Sequence, residues 1–183
     1  MYRDKDFWKK KYEDSWDDSS RREIQVKEMV ANLGFKLERF GLGAESTEFI
    51  PGSAEDNGCE KGAPDYHIKN SNIYIEVTGP LTNNVKKDSP IWIRPDKIDY
   101  AYKYKNKHDE FFVVNYLYAN VWYVIHFNEE LSKYYIESTN NNSDYKLIHP
   151  RIRGVIETYV EINPRTKYVH DISYLIEYLK TKK

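Results

Sequence analysis

Apolar residues recur along the chain with two periods, and the changes of period divide it into elements. Val26, Met29, Val30 and Leu33 return every three or four residues, the spacing of one helix face, and stop at Gly34, a residue suited to ending a helix. Ser20 with Glu23 three residues later matches a capping box, so a helix is predicted over 21–32. A short amphipathic helix carrying Phe7, Trp8, Tyr12 and Trp16 is expected before it. FKLERFG at 35–41 reads as a short strand, and the acidic, small-residue stretch 42–62 as a long loop. Residues 65–69 and 73–78 then alternate as two strands around Asn70, Ser71 and Asn72, a hairpin turn, with Gly79 and Pro80 ending the second. Pro95 suits a first helical turn, so a helix is predicted over 95–106. FFVVNYLY and NVWYVIHF, separated by a turn near Ala119 and Asn120, read as buried central strands. A strand at Tyr159–Ile162 and a helix over 171–180, with Ile172, Leu175, Ile176 and Leu179 in register, close the pattern.

The order helix, strands, helix, strands, helix predicts an α/β fold, a mixed central β-sheet flanked by helices in three layers. No internal repeat or long linker interrupts it, and NNNSD at 140–144 marks a polar loop. One domain over 1–183 is expected, with 1–18 a peripheral segment.

Composition narrows the setting. A chain of 183 residues with 40% hydrophobic and 31% charged residues can bury a substantial core. The apolar runs at 111–117 and 121–127 are too short to cross a bilayer as helices, and the first residues lack a signal-peptide core, so no membrane partner and a cytoplasmic setting are expected. Cys59 is the single cysteine, which excludes an internal disulfide and argues against a thiolate zinc site. The formal net charge of −1 gives no global attraction to nucleic acid, so any such binding rests on local charge. Lys86, Lys87, Arg94 and Lys103, with Lys97, Lys105 and Lys107, outnumber Asp88, Asp96 and Asp99 over 86–107. This is either a phosphate-binding strip or a solvated helix face. The 17 tyrosines can stack on bases or pack in the core with a wet hydroxyl, the simpler expectation.

The hairpin carries the candidate chemistry. A divalent cation such as Mg²⁺ takes hard oxygen ligands, commonly with one or two protein carboxylates. A turn at 70–72 brings Asp65 and Glu76 side by side on adjacent antiparallel strands, where two like charges are unfavourable without a counter-ion. A metal resolves that cost, and the Val77 carbonyl offers a further oxygen. In the plainer alternative, Asp65 caps a turn after Pro64 and Glu76 points to solvent. His67 shares the alternation class of Asp65 and can be a base, a ligand or structural; the other histidines form no spaced metal motif. No GxSxG, P-loop or GxGxxG sequence occurs.

PD at 64–65 followed by IEVT at 75–78, with a glutamate-bearing helix before and a basic helix after, resembles the PD-(D/E)XK nuclease superfamily, the restriction-endonuclease-like enzymes. The resemblance covers roughly the first 130 residues. It implies Asp65 and Glu76 as ligands of Mg²⁺, which Mn²⁺ can replace, and Glu23 as the first-helix glutamate that assists the metal; Glu23 is equally the capping-box residue, and Glu28 is the second choice. Thr78 stands where the family has its lysine and lacks the basicity to activate water. Lys97, in the first turn of the following helix with Tyr100 three residues on, is the candidate for a migrated lysine, and Lys69 the second choice. The implied activity is a Mg²⁺-dependent DNA endonuclease that hydrolyses phosphodiester bonds, with DNA as partner and a homodimer suited to cutting two strands. The alternatives are a nuclease-like fold without catalysis that holds nucleic acid or a protein partner, and an unrelated α/β protein.

Overall fold

The first helix extends well beyond the residue that was expected to cap it. A computed structural model describes residues 5–43, 54–80, 85–104, 109–118, 121–127, 131, 144–152 and 154–183. Helix α1 runs unbroken from Lys5–Asn32, so Ser20 and Glu23 are interior residues and no capping box forms there. Asp17, Asp18, Ser19 and Ser20 are weak helix formers, but none is a glycine or proline, and packing overrides the local preference. Ser20, Glu23, Val26 and Val30 form the buried stripe of the helix. Gly34, at φ +86°, ends the helical run in the left-handed conformation that glycine adopts without strain.

Strand β1 (Leu37–Arg39) is shorter than the predicted 35–41. It is followed by a single 3-10 turn at Glu55–Asn57, β2 (Tyr66–Ile68), β3 (Ile73–Thr78) and β4 (Ile91–Ile93). Helix α2 (Pro95–Tyr104) leads to the long pair β5 (Glu110–Tyr118) and β6 (Val121–Phe127). Then come β7 (Tyr145–Ile148), β8 (Arg151–Ile152), β9 (Val155–Ile156), β10 (Tyr159–Ile162), β11 (Val169–Asp171) and α3 (Ile172–Lys180), whose N-cap is Asp171. The turn near Ala119 and Asn120, residues 140–143 of the polar loop, most of the acidic loop (44–53), and Lys105 and Lys107 lie outside the described residues.

Six strands form a mixed sheet in the order β1-β2-β3-β5-β6-β11. β3 and β5 are parallel, and the other neighbours are antiparallel. Alternation along β3 sends Ile73, Ile75 and Val77 to one face, against Val26 and Val30 of α1 and Leu175 and Leu179 of α3. Tyr74, on the other face, packs against a core built from Ile98 and Ala101 of α2 and the apolar side of a second, three-stranded sheet, β4-β10-β7. Helices therefore flank both faces of a mixed central sheet, as the element order predicts. The Tyr159–Ile162 strand, however, belongs to the smaller sheet, which the local pattern did not foretell. Tyr66 and Tyr145 are fully buried core residues.

Candidate active site

The site begins with the turn of the β2-β3 hairpin. Asn70 takes a left-handed φ of 60°, a conformation asparagine tolerates. Ser71 closes the bend, its amide bonding the Ile68 carbonyl while its hydroxyl accepts from Ile73 N at 3.1 Å. This turn sets the register Tyr66 to Ile75 and His67 to Tyr74. Continuing it by one residue puts Asp65 opposite Glu76, where the backbone ladder stops. There the Asp65 carboxylate replaces the missing ladder bond, Oδ2 accepting from Val77 N at 2.8 Å. N–H and C=O of one residue face the same edge of a strand, so the Val77 carbonyl also faces Asp65.

Glu76 lies on the sheet face covered by α2, and Lys97 in the first turn of α2 meets it, Nζ to Oε2 at 2.8 Å. The same ammonium donates to the Ala63 carbonyl at 2.8 Å, tying the segment before Asp65 to the helix. Gly62 makes that approach feasible. Its φ is +80°, and a Cβ there would overlap the Asp96 carbonyl in the first turn of α2.

Three buried charges thus share a small volume, two negative and one positive. Asp65 is 6% exposed, and the Glu76 and Lys97 side chains are 14% and 17% exposed. Burial is the main force raising the Asp65 carboxyl above its ordinary range, with Glu23 adding to it and Lys97 opposing. Burial and then the charge of Asp65 push Glu76 up further, against the pull of Lys97. Burial disfavours the Lys97 ammonium, but Glu76 and Asp65 outweigh it and hold its pKa above the usual value. One lysine does not neutralise two carboxylates, so the pair holds a proton to higher pH than free carboxylates do.

Glu23, also buried, comes from α1 on the other side of the hairpin. Its Oε2 accepts from the Tyr66 hydroxyl at 2.9 Å and lies 3.9 Å from the Arg39 guanidinium. Its charge reaches Asp65, yet its carboxylate is engaged by Tyr66.

This donor set fits a hard divalent cation. Two carboxylates with surplus negative charge and a backbone carbonyl on one strand edge are the oxygen ligands that Mg²⁺ takes, the remainder being water. Among the described residues no three His, Cys, Asp or Glu side chains converge as a metal cluster. The fit therefore rests on Asp65, Glu76 and the Val77 carbonyl, with Glu23 acting through its charge.

Beyond Glu76 a cleft of about 850 Å³ opens between α1, the C-terminal end of β3 and the smaller sheet. Glu23, Glu76, Thr78, Arg94 and Lys97 line it, but Lys86, Lys87 and Lys103 do not. Lys86 and Lys87 are exposed. Arg94 pairs with Asp96 at 2.6 Å, and Lys103 pairs with Glu60 near the far end of α2. Lys69 is drawn to Glu38 at 3.2 Å, Glu28 is exposed, and His67 Nε2 bonds the Ser71 carbonyl at 2.7 Å within the turn. Tyr100 is a core residue beside Phe111.

Sequence reasoning did not single out Arg22, Asn115, Trp92 or Tyr159, which also line the cleft. Arg22 is the neighbour of Glu23, donates to the Pro80 carbonyl at 2.9 Å and lies over the Tyr116 ring. Asn115 interrupts the apolar run of β5, and that lone polar residue was the available signal.

No protein-family model and no curated protein matches the chain. Among solved structures it is similar to Archaeoglobus fulgidus Hjc, a Holliday junction resolvase from an archaeal hyperthermophile, with 14% sequence identity and a TM-score of 0.46, over 85% of this chain and 98% of that one. Among the described residues, no helix is long and apolar enough to cross a membrane.

Proposed function

We propose that this chain is a divalent-metal-dependent DNA endonuclease of the PD-(D/E)XK kind. The observation that carries the reading is the meeting of Asp65, Glu76 and Lys97, with Lys97 arriving from the helix after the hairpin at 2.8 Å from Glu76. Thr78 stands at the motif's lysine position, and Lys97 brings an ammonium to the same carboxylate from a different element.

Asp65, Glu76 and the Val77 carbonyl would hold Mg²⁺ or Mn²⁺. A cation bound there supplies Lewis-acid polarisation of a phosphate and an acidified water. The protein groups do the rest. The Val77 amide fixes one Asp65 oxygen. Lys97 has three N–H donors, of which Glu76 and the Ala63 carbonyl take two, leaving one for an attacking water or a phosphate oxygen. Glu23, oriented by Tyr66, adds negative potential behind Asp65 and favours the cation. Arg94 at the cleft and exposed Lys86 and Lys87 would serve as phosphate contacts, Arg94 on release from Asp96 and Lys103 on release from Glu60. Cutting both strands calls for two copies of the site, so a homodimer belongs to the proposal, as does a cytoplasmic setting.

The test is incubation of supercoiled plasmid with the protein and Mg²⁺ or Mn²⁺. Nicking or linearisation that stops with EDTA and falls at least a hundredfold in Asp65→Ala is the expected result. Cleavage that survives Asp65→Ala, or no cleavage of any nucleic acid by folded protein, overturns it. The Lys97–Glu76 pair also suits a second reading, a fold without catalysis in which the lysine is the internal counter-ion. Calorimetry that finds DNA binding without Mg²⁺ binding would favour that reading.

A further inference from the structure

The cleft beside Glu76 is larger than a cation, its waters and one phosphate require. At about 850 Å³ it lies within the size range of sites that enclose small organic ligands, about 300–1,000 Å³. That volume has room for one nucleotide beside the carboxylate pair.

The lining has the character of a base-binding surface. Trp16, Trp92 and Tyr159 contribute aromatic rings. Trp92 is 40% exposed, although it is a large hydrophobic residue on a strand of the smaller sheet. Trp92 and Tyr159 are neighbours, with ring centroids 5.8 Å apart. Their polar edges are already used, Trp92 Nε1 donating to Glu161 at 2.9 Å and the Tyr159 hydroxyl to Glu157 at 2.7 Å. These bonds orient the rings and occupy the wall's carboxylates, and Glu161 is further neutralised by Lys146 at 2.8 Å. What remains for a ligand is aromatic surface, on which any base can stack.

Asn115 supplies an independent observation. It is 4% exposed, sits on β5 directly alongside Thr78 of β3, and lines the same cleft. Its Oδ1 is buried and has no hydrogen-bond partner in the protein. A buried amide oxygen without a partner is costly and uncommon, and the side chain that carries it lines a cleft with room for a ligand. An amide carries both donor and acceptor groups, the combination that meets the edge of a nucleobase.

We infer that this cleft receives a single nucleotide drawn out of the base stack, or one belonging to an unpaired strand, with its base against the Trp92–Tyr159 wall and Asn115 bonding a polar atom of that nucleotide. The inference rests on the endonuclease reading for the position of the scissile phosphate near Glu76. It makes the preferred substrate a DNA with unpaired nucleotides at the cut, such as a single strand, a flap or a bulge. Arg22, held between the Pro80 carbonyl and the Tyr116 ring, is a further cation of the cleft that such a strand would meet.

The experiment compares three oligonucleotides of one sequence: a single strand, a continuous duplex, and a duplex with a central bulge. Binding is followed by fluorescence anisotropy in EDTA, and cleavage in Mg²⁺, for wild type, Asn115→Ala and Trp92→Ala, with thermal midpoints to verify folding. Binding of the single strand and bulge at least tenfold tighter than the duplex is expected, with either variant reducing that preference to about twofold. Equal binding of all three by wild type overturns the inference, as does a preference that both folded variants retain. Since Trp92 is partly exposed, its variant keeps the test available if Asn115→Ala does not fold. Strand preference without cleavage would refute the nuclease reading and leave the cleft assignment standing; cleavage without strand preference would do the reverse.

Discussion

Lys97 Nζ stands 2.8 Å from Glu76 Oε2 and the same distance from the Ala63 carbonyl, so one ammonium ties α2 to β3 and to the segment that leads into β2. Neighbouring Asp65 is inside the same electrostatic unit, since both its own titration and that of Lys97 respond to the other.

Replacing Lys97 by methionine removes the cation and keeps the length of the side chain. Cleavage should fall by about 10²–10⁴-fold, the range for loss of a group that activates or orients the nucleophile. The metal-free protein should also lose up to about 3 kcal/mol at pH 8, because the pair then lacks its cation and must either take up a proton or keep a buried charge without a partner. At pH 6 the loss should be smaller, since a retained proton relieves the pair. Rates on plasmid and urea unfolding at both pH values check this, and an unchanged rate would remove Lys97 from the mechanism.

The pH dependence of the metal-free protein has a definite sign. Asp65 and Glu76 titrate above their ordinary carboxylate values near 4, so the folded state holds more protons than the unfolded one as soon as pH passes that range. The contribution of this pair to stability is therefore fullest at low pH and declines as pH rises, until Glu76 has titrated at about 8. Mg²⁺ affinity should move the opposite way over the same interval, because the ligands must be deprotonated to bind it. Thermal melts in EDTA and in Mg²⁺ between pH 5 and pH 9 should diverge as pH rises; parallel curves would contradict the assignment.

Asp65→Asn separates charge from shape. The side-chain oxygen can still accept from Val77 N, and the like-charge conflict with Glu76 disappears. Stability in EDTA at pH 8 should be equal to or above that of wild type. The stabilisation by saturating Mg²⁺, about 2.7 kcal/mol at a hundred times the dissociation constant, should vanish. A retained Mg²⁺-induced shift in melting temperature would show that the cation binds elsewhere.

Tyr66→Phe deletes only the hydroxyl that donates to buried Glu23. A hydrogen bond to a charged group is worth about 1.5–3 kcal/mol, and a loss of that order is expected in denaturant unfolding. Glu23→Gln, which retains an acceptor for Tyr66, should cost less stability but weaken Mg²⁺ binding. The reverse order would make Glu23 purely structural.

Gly62→Ala tests how the hairpin is docked on α2. A left-handed backbone costs an alanine about 1–2 kcal/mol, roughly 2–8 °C for a chain of this size, before any overlap with the Asp96 carbonyl is counted. Cleavage should fall along with stability, since the substitution displaces Ala63 from Lys97. Full activity at reduced stability would show that the site tolerates that displacement.

The carboxylate hairpin was legible because its determinants are local. Alternation at Ile73, Ile75 and Val77 states which side of the strand is buried, and the three residues 70–72 state where the chain reverses. Together they set Asp65 opposite Glu76 without reference to the rest of the molecule. The helix at Pro95 and the apolar runs of β5 and β6 were readable for the same reason. Ser20 and Glu23 show where local reading fails. Their spacing satisfies the capping-box pattern, but the helix continues through them and turns both inward. A capping motif states only that a helix can start there, and burial against the sheet decides whether it does.

What the sequence alone determined, then, is the carboxylate pair and the α/β order around it. The tertiary structure decided that Lys97 completes the pair, that Glu23 is buried on Tyr66, and that Asn115 and the Trp92 wall share a cleft beside Glu76. Those relations join residues 21 to 43 positions apart, or more, across different elements. Periodicity along a chain fixes which face of an element is turned inward, but only the packing of distant segments determines which other face it meets.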